Sequence, residues 1–526
     1  MSISRRTFLG SGLAAALLSG VRQQSRLSTT DEGDQYKLYW GDLHNHNAVG
    51  YAKGSLERSI DNAREHLDFF AFTGHASWHD MPKMPGDRHM KWVNGFKVHA
   101  DHWEKTRRLI DEANSDEFTA LLGYEWHSSA FGDYCMIFPD DQPELFLPDH
   151  VETLLDFAHE KGALAIPHHV GYKLGWRGAN FDHFRAATSP VVEIFSEHGC
   201  TETDRAPYPM IRHSNGGRST SNTIVPQLQK GMRFGFVASS DNHRGYPGAW
   251  GEGVLGVWAR DNSREALFEA VRARRTYAAT GDRIALEFAI NEWPMGSELN
   301  LSPGRQIDVR VEGEDSIQMI ELIRNGRVIQ RHFPEDDVTG PPGFPGECKF
   351  RINYGWGPWA ALDLGRTCHW DMTVGIEGGR FVSVTPCFQS GPYEEDLRDR
   401  LEMESPRKLR LRSYTSRVNC YAEDPTKALV CAVEADPDAV VTLELTQPSE
   451  QTVRKPLRDL IVDNVVEFTG VFTSESFIVS RLIGPAEYTA QVRWLDSRLA
   501  TDSDWYYVRV TQHNGQMAWS SPIWVG

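Results

Sequence analysis

The sequence predicts an α/β fold in its first half and an all-β fold in its second half. Between residues 36 and 280, short apolar runs alternate with helical patterns, which is typical of β/α units around a largely parallel sheet. From residue 284 onward, helical periodicity nearly vanishes and apolar residues alternate with polar ones. We therefore expect an N-terminal segment at residues 1–30, an α/β region at 31–283 and an all-β region at 284–526.

Short apolar runs in the first region predict buried strands. They cover residues 36–40, 69–73, 118–122, 163–166, 191–195 and 234–238. Helices are predicted between these strands at residues 56–66, 151–161 and 264–274. Ser55 and Ser263 precede the first and the last of these helices as N-caps. This pattern alone fits either an α/β barrel or an open sheet.

The second region shows the alternation of strands that have one apolar face, as in residues 307–311. Asn325-Gly326 and Asn514-Gly515 lie between such runs. Asn-Gly pairs favour the type I′ turns of two-residue hairpins. Short strands joined by such turns predict a β-sandwich-like domain.

Length and composition exclude several classes of protein. The chain has 526 residues, of which 40% are hydrophobic and 24% charged, so wholesale disorder is not expected. The formal net charge of −17 argues against general binding of nucleic acid or anionic membranes, because clustered Lys and Arg hold phosphate groups. Seven cysteines without a C-x-x-C pair indicate neither a disulfide framework nor a zinc ribbon.

The N-terminal segment is similar to a twin-arginine export signal. Arg5 and Arg6 lead into a mild apolar stretch at residues 13–18, which is too short to span a bilayer. We therefore expect a periplasmic or extracellular protein that engages the Tat export machinery and has no stable membrane span. An amphipathic N-terminal tail is the simpler alternative. No clear cleavage site follows the apolar stretch, so the sequence leaves the start of the mature protein open.

Histidine is concentrated in the first region, where 17 of the 20 histidines lie between His44 and His243. Many of them, together with several carboxylates, follow the predicted strands directly. In strand order these residues are His44 and His46; His75; Glu125 and His127; His168 and His169; Glu193, Glu197 and His198; and Asp241 and His243. Because the carboxyl ends of parallel strands lie on one face of a fold, we expect these groups to converge.

Converging imidazoles and carboxylates are the ligands of zinc, manganese and iron ions, and a bridging carboxylate would permit two ions. The pairs His44/His46 and Asp241/His243 favour this further, since residues i and i+2 leaving a strand point to the same side. Each element alone could be a packed or surface residue, but so many strand ends together have no packing rationale. Asp42 is expected to orient a ligand rather than to bind metal.

At these residues the sequence resembles the PHP superfamily, named for polymerase and histidinol phosphatase, over residues 36–280. The resemblance implies a distorted (β/α)7 barrel with a site for two or three divalent metal ions. The family's motif positions fall on His44, His46, His75, Glu125, His168 or His169, His198, Asp241 and His243. Residues 275–281 and 518–524 look more particularly like exported PHP metallohydrolases related to bacterial carbaryl hydrolases.

Two departures from the family pattern affect a third metal position. The second motif usually reads T-D-H, but here it reads Thr73-Gly74-His75. The Ser-Asp-Gly that commonly follows H-x-H is replaced by Lys53-Gly54. We therefore expect two metal ions and leave the third open. Lys53 is either a fixed cation that binds an anionic substrate group or a solvated loop lysine.

The resemblance implies a role for each residue of the site. One ion would be held by His44, His46 and Asp241, and Glu125 would bridge to a second ion bound by His168 or His169 and by His198. His75 and His243 would serve the third position or act as acid and base. The predicted catalytic residues are Glu125, His75 and His243, and the predicted substrate contacts are Lys53, His127, Arg177 and Arg244. A structural salt bridge is the alternative for Arg244.

The function implied is that of an exported metal-dependent hydrolase, which uses metal-activated hydroxide on an ester bond. The bond is either a phosphoester, as in the wider family, or a carboxyl ester or carbamate, as in the closer resemblance. The expected partner is a small-molecule or glycan-like ester substrate. The alternative is a non-catalytic exported protein that binds a glycan or a partner and holds a structural metal.

Overall fold

The chain is described from a computed structural model. The residues described are 26–27, 36–142, 144–212, 216–337, 343–344, 346–356, 367–389, 396–416, 425–471, 474–498 and 504–526. The twin-arginine motif and its apolar stretch lie outside these residues. Within the described ranges, no helix has both the length and the apolar character needed to cross a membrane.

The three predicted helices are confirmed, and further helices accompany them. The helices are α1 (Leu56–His66), α2 (Arg88–Asp101), α3 (Trp103–Glu112), α4 (Val151–Glu160), α5 (Ile224–Gln229), α6 (Arg264–Arg272) and α7 (Pro485–Tyr488). The predicted caps are also confirmed. Ser55 accepts a hydrogen bond from Arg58 N at the start of α1, and Ser263 accepts one from Ala266 N at the start of α6.

The strands alternate with these helices in the first region and dominate the second. The strands up to residue 279 are β1 (Arg26–Leu27), β2 (Tyr36–Asp42), β3 (Phe69–Phe72), β4 (His75–Trp78), β5 (Thr119–His127), β6 (Tyr134–Ile137), β7 (Leu164–Pro167), β8 (Val191–Ser196), β9 (Gly199–Cys200), β10 (Gly235–Ala238), β11 (Val254–Ala259) and β12 (Thr276–Ala279). The later strands are β13 (Ala285–Ile290), β14 (Trp293–Pro294), β15 (Glu298–Leu299), β16 (Arg305–Glu312), β17 (Ile317–Arg324), β18 (Arg327–His332), β19 (Glu347–Trp356), β20 (Thr367–Cys387), β21 (Arg400–Ser405), β22 (Lys408–Ser416), β23 (Lys427–Gln447), β24 (Gln451–Pro456), β25 (Val465–Phe468), β26 (Ser476–Val479), β27 (Thr489–Asp496), β28 (Asp504–Gln512), β29 (Met517–Ser520) and β30 (Ile523–Val525).

The first region is mixed α/β, as expected, and the predicted strands are present as β2, β3, β5, β7, β8 and β10. The sheet is less parallel than expected. β2, β3 and β5 pair in parallel, but β6 pairs antiparallel with both β5 and β7. Residues 128–133 alone separate β5 from β6, and so short a connection forms a hairpin because a parallel crossover needs a dozen or more residues. These pairings do not by themselves describe a (β/α)7 barrel.

Strands from both ends of the chain share one 15-stranded sheet. β12 pairs with β29, and β29 in turn pairs with β28. The chain divides into two compact units, one with the described residues of 25–340, 387–395 and 486–526, and one with those of 341–386 and 396–485. This division differs from the expected regions 31–283 and 284–526, which remain a prediction from sequence.

The second of these compact units contains an eight-stranded sheet built from long antiparallel strands, in which β20 and β23 lie side by side. In the first unit, the alternation predicted for residues 307–311 is confirmed, since Ile307, Val309 and Val311 are buried. Asn325 and Gly326 both have positive φ, as a type I′ turn requires. This hairpin joins β17 to β18.

A buried ion-pair network lies in the first unit and is not evident from the sequence. Arg509 Nη1 lies 2.9 Å from Glu202 Oε1, and Arg509 Nε donates to Glu321 Oε2 at 2.8 Å. Trp519 Nε1 also donates to Glu202, at 2.8 Å. Both carboxylates are at most 2% exposed, so the guanidinium of Arg509 is the main compensation for the cost of burying their negative charge.

Replacing Arg509 should therefore destabilise the protein strongly. We expect Arg509→Met to lower the free energy of unfolding by about 3–5 kcal/mol, because it leaves the buried Glu202 without its paired cation and leaves the buried Glu321 with only the half-exposed Arg331. Arg331→Met is the matched control, since Arg331 pairs with the same Glu321 but its side chain is 54% exposed. The control should lose less than about 1 kcal/mol in urea denaturation, and equal losses in the two variants would contradict this account.

Candidate metal centre

The polar side chains that follow the strands lie together in one buried cluster. Two of the segments that carry them run side by side. His46 N donates to Asn242 O at 2.9 Å, and Asp241 N donates to His44 O at 2.8 Å. This short parallel ladder fixes the H-x-H segment against the D-x-H segment. The convergence expected from the sequence is therefore present, although these segments are separated by nearly 200 residues.

Asp42 connects the same segments through hydrogen bonds to its carboxylate. Its buried carboxylate accepts hydrogen bonds from His44 N at 2.9 Å, Ser240 N at 3.1 Å and Gly248 N at 2.7 Å. Each donor is a backbone N–H of a loop that borders the cluster. Asp42 therefore holds these loops in place, which is consistent with the orienting role predicted for it from the sequence.

Glu125 lies at the middle of the cluster with a different group of imidazoles at each carboxylate oxygen. Its Oε1 lies 2.7 Å from His168 Nε2. Its Oε2 lies 3.1 Å from His127 Nε2, 3.5 Å from His75 Nε2 and 3.6 Å from His46 Nε2. This two-sided arrangement is the one that a bridging carboxylate needs.

Asp241 also has different imidazoles at its two carboxylate oxygens. Its Oδ1 lies 2.9 Å from His46 Nε2 and 3.2 Å from His44 Nε2, whereas its Oδ2 lies 2.8 Å from His198 Nε2. The residue has φ +53, which non-glycine residues rarely adopt. The backbone hydrogen bond to His44 O holds it in this conformation.

The electrostatics favour the metal-binding protonation state at some ligands only. Burial lowers the pKa of His127, but Glu125 and Asp133 outweigh this and raise it to about 9, and Cys135 and Asp241 likewise raise the pKa of His44 well above its ordinary value. Burial raises the pKa of Glu125, but the imidazoles of His127 and His168 outweigh this and hold its pKa well below the usual range. Burial lowers the pKa of His46 well below its ordinary value, and the imidazole of His243 lowers it further. Burial and the imidazole of His46 also lower the pKa of His75 well below its ordinary value. Ionised carboxylates and neutral imidazoles are the forms that bind cations.

Several buried ligand atoms of the cluster have no partner in hydrogen-bonding geometry among the described residues. They are His44 Nε2, His46 Nδ1, His75 Nδ1, Glu125 Oε2, His127 Nδ1 and Nε2, His168 Nδ1 and Nε2, and His169 Nδ1. Buried polar atoms are otherwise almost always paired, so this concentration calls for a cation. Groups whose ligand atoms lie within 4.8 Å of one another include His44, His46 and Asp241; His75, Glu125 and His127; and Glu125, Asp133, His168 and His169. The residues present fit divalent metal ions.

Hydroxyl oxygens of residues around the cluster orient two of its imidazoles. His44 Nδ1 lies 2.8 Å from Thr73 Oγ1, and His198 Nδ1 lies 2.6 Å from the hydroxyl of Tyr172. In each ring, Nδ1 faces the protein and Nε2 faces a carboxylate of the cluster. Such outer partners fix the orientation of a metal-binding histidine.

The residues predicted as substrate contacts fall in different places. His127 lies inside the cluster, beside Glu125. Arg177 is buried and donates to Asp133 Oδ2 through Nε at 2.6 Å. Arg244 Nη1 lies 3.8 Å from Glu197 Oε2, which is the salt bridge considered as its alternative.

The remaining predicted residues lie at the edge of the cluster. Lys53 is exposed, and its backbone N–H donates to His243 O at 3.1 Å. His243 is partly exposed, with its ring 4.4 Å from that of His46 between centroids. Its Nδ1 lies 2.8 Å from the carbonyl oxygen of Asp241.

Sequence reasoning missed two members of the cluster. Asp133 directly precedes the unpredicted strand β6, and its carboxylate lies 3.1 Å from His127 Nδ1. Tyr51 follows the H-x-H segment and stacks on His75 with ring centroids 3.7 Å apart. A carboxylate at the start of a short apolar run was the available signal for Asp133. Nothing in the local sequence singles out Tyr51.

Comparison with known proteins gives relatives without an assigned activity. A family model described as "Protein of unknown function (DUF3604)" matches residues 249–293. An uncharacterized protein of Chlamydia muridarum is 36% identical over 352 residues, which are 57% of this chain and 51% of the relative. An uncharacterized protein of Chlamydia trachomatis is 34% identical over 340 residues, which are 57% and 49% of the two chains. The chain thus spans about half the length of these curated relatives.

Among solved structures, a two-domain protein from Bacteroides vulgatus is similar to 58% of this chain and is covered over 84% of its own length. It is described as containing a predicted PHP-like metal-dependent phosphoesterase. The sequence identity is 16% and the TM-score is 0.34. Likeness at this level defines neither the fold nor the activity of the present chain.

The number of bound ions should depend on Glu125. We expect Glu125→Gln to bind at least about one equivalent of divalent metal less than the wild type, because an amide cannot bridge two cations as a carboxylate does. The measurement is elemental analysis of folded protein purified from metal-replete medium. Glu117→Gln, at an exposed position outside the cluster, is the matched control and should retain the full count. A wild type free of metal would contradict the assignment of this cluster.

Proposed function

We propose that this chain is a metal-dependent hydrolase of ester bonds. The observation that carries the proposal is that Glu125 and Asp241 each present both carboxylate oxygens to different imidazoles in one buried cluster. A purely structural zinc site is closed by four ligands, whereas this cluster offers more ligands than one ion can use. The surplus favours a centre of two or three ions.

We assign the ligands as the sequence resemblance implies. His44, His46 and Asp241 would hold one ion, and Glu125, with His168 or His169 and His198, would hold a second. Divalent ions bound there would lower the pKa of a water ligand and polarise the oxygen of the ester, and zinc, manganese and iron all suit these ligands. Asp42, Thr73 and Tyr172 keep the ligand geometry fixed while a substrate binds.

His243 is the residue we assign to proton transfer. Its Nδ1 is engaged by the carbonyl oxygen of Asp241, so Nε2 is the atom that can give a proton to a leaving group. Burial lowers the pKa of His243, but the carboxylate of Glu197 outweighs this and raises the pKa above its ordinary value. The ring is partly exposed, which gives a substrate access to it.

The substrate we propose is a small-molecule or glycan-like ester, either a phosphoester or a carboxyl ester or carbamate. Arg177 is the buried cation nearest to Glu125, with Nη2 3.9 Å from Oε1, and could face an anionic oxygen of the substrate. We also propose the distorted (β/α)7 barrel, because Ala165 N of β7 donates to Thr188 O shortly before β8, and Thr276 Oγ1 of β12 donates to Phe236 O of β10. We also propose that the protein is exported through the Tat route to the periplasm or the extracellular space.

Hydrolysis assays with the metal-loaded protein test this function. Aryl phosphomonoesters, aryl phosphodiesters, aryl acetates and aryl carbamates should be compared, and we expect turnover of at least one class. His243→Asn should lower kcat by about 100-fold or more with the metal content unchanged, because it removes the proton donor. His102→Asn, an exposed residue between α2 and α3, is the control.

Two results would contradict the proposal. Fully metal-loaded wild type that hydrolyses none of the four ester classes would favour a non-catalytic protein with a structural metal. Equal rates for wild type and His243→Asn would remove His243 from the proposed mechanism while leaving the metal centre in place.

A further inference from the structure

The ring of Tyr51 lies between the histidine cluster and helix α2. It stacks on His75 with ring centroids 3.7 Å apart and an interplanar angle of 30°. Trp92 and Phe96 of α2 border the same ring, with centroids 5.9 Å and 6.0 Å away. The ring of His243, to which we assign proton transfer, lies 5.9 Å from that of Tyr51. Tyr51 therefore borders both the cluster and the proposed proton donor.

A close approach of α2 holds the backbone of Tyr51. A Cβ on Gly95 would lie 2.7 Å from Tyr51 Cβ and 2.9 Å from Tyr51 N, which is too close for any residue other than glycine. Residues 92, 95 and 96 have the i, i+3 and i+4 spacing of one helix face. The contact that fixes the backbone of Tyr51 therefore also places two aromatic rings beside its side chain.

The hydroxyl of Tyr51 faces the charged groups of the cluster. Burial raises the pKa of Tyr51 well above its usual value. The strongest charges that act on this pKa belong to the cluster, and they are those of Arg177, Glu125, Asp241 and Asp133. The hydroxyl forms no hydrogen bond with any other residue that the structure describes. The side chain is half-buried, so a substrate at the cluster can reach this donor.

A neutral donor at this place suits the charge that develops during ester hydrolysis. Attack of hydroxide on a phosphoester or a carboxyl ester increases the negative charge on an oxygen of the ester. A hydrogen bond to that oxygen stabilises the transition state more than the bound substrate. Arg177 already donates to Asp133 Oδ2 through Nε at 2.6 Å, whereas the hydroxyl of Tyr51 remains available. An ordinary phenol, with a pKa of about 10, keeps its proton at neutral pH.

We propose that Tyr51 is a further catalytic residue, whose hydroxyl donates a hydrogen bond to the substrate oxygen that becomes negative in the transition state. The proposal rests on the hydrolysis proposed above. Tyr51 keeps its proton throughout, and proton transfer to the leaving group stays with His243. The competing role is packing alone, in which the ring of Tyr51 covers His75 and its hydroxyl contacts no substrate.

The variant Tyr51→Phe separates these roles, because it removes the hydroxyl and keeps the ring that stacks on His75. With an ester that the wild type hydrolyses, we expect kcat to fall about 100-fold or more. The KM should change less than about threefold, because the hydrogen bond is stronger in the transition state than in the bound substrate. Tyr414→Phe is the matched control, since Tyr414 is a half-buried tyrosine on β22 outside the cluster, and it should keep the wild-type kcat.

Two results of these assays would overturn the proposal. An equal kcat for Tyr51→Phe and an active wild type would leave the proposed hydrolysis in place and reduce Tyr51 to packing. A lower metal content in Tyr51→Phe, measured by elemental analysis, would show that the hydroxyl acts on the metal centre and not on the substrate.

Binding of methylphosphonate gives a readout that needs no turnover. This stable tetrahedral anion resembles the charged oxygens that form when either class of ester is hydrolysed. In calorimetric titrations of the metal-loaded proteins, we expect the Kd to be at least about tenfold weaker for Tyr51→Phe than for wild type and unchanged for Tyr414→Phe.

The titration also separates this proposal from the proposed function. A wild type that hydrolyses no ester but shows the tenfold difference would contradict the proposed function and still support the hydrogen bond from Tyr51 to a bound oxyanion. Equal Kd values for wild type and Tyr51→Phe, or no binding of methylphosphonate to the wild type, would overturn it.

Discussion

The architecture of the cluster depends on one electrostatic constraint: buried lone pairs that face each other need cations between them. Glu125 and Asp241 are carboxylates almost without solvent exposure, and imidazoles surround both. Hydrogen bonds of good geometry satisfy few of the inward-facing atoms among the described residues. Divalent ions remove the repulsion and supply the missing partners, which is why a metal centre accounts for the arrangement better than packing does.

Hydrogen bonds fix the backbone segments that carry the ligand side chains, and this keeps the ligand atoms close together. The ladder between residues 44–46 and 241–243, and the four-way hydrogen bonding of Asp42, join loops that are remote in sequence. Thr73, Tyr172 and Asp133 then orient individual rings from outside the cluster. The strain of a positive φ at Asp241 is confined to a segment with strong backbone pairing.

Local sequence patterns were enough to predict the strands of the first region and the two serine caps, because periodicity and capping act over a few residues. The convergence of the strand-end residues was predicted from the rule that parallel strands end on one face. Local patterns did not predict the β5–β6 hairpin, and so they missed Asp133, which directly precedes that hairpin's second strand and lies beside His127. The pairing of β12 with β29 and the buried Arg509 network depend on contacts between distant segments, which no local window contains. The same limit applies to Tyr51, whose ring stacking on His75 is a tertiary contact.

The most direct test of the metal centre is anomalous diffraction from crystals of the zinc- or manganese-loaded protein at the metal absorption edge. The account predicts at least two peaks about 3.5–4 Å apart, with the two oxygens of Glu125 each about 2.0–2.2 Å from a different peak. A single tetrahedral ion that contacts one Glu125 oxygen, or density without any anomalous peak at the strand ends, would contradict it.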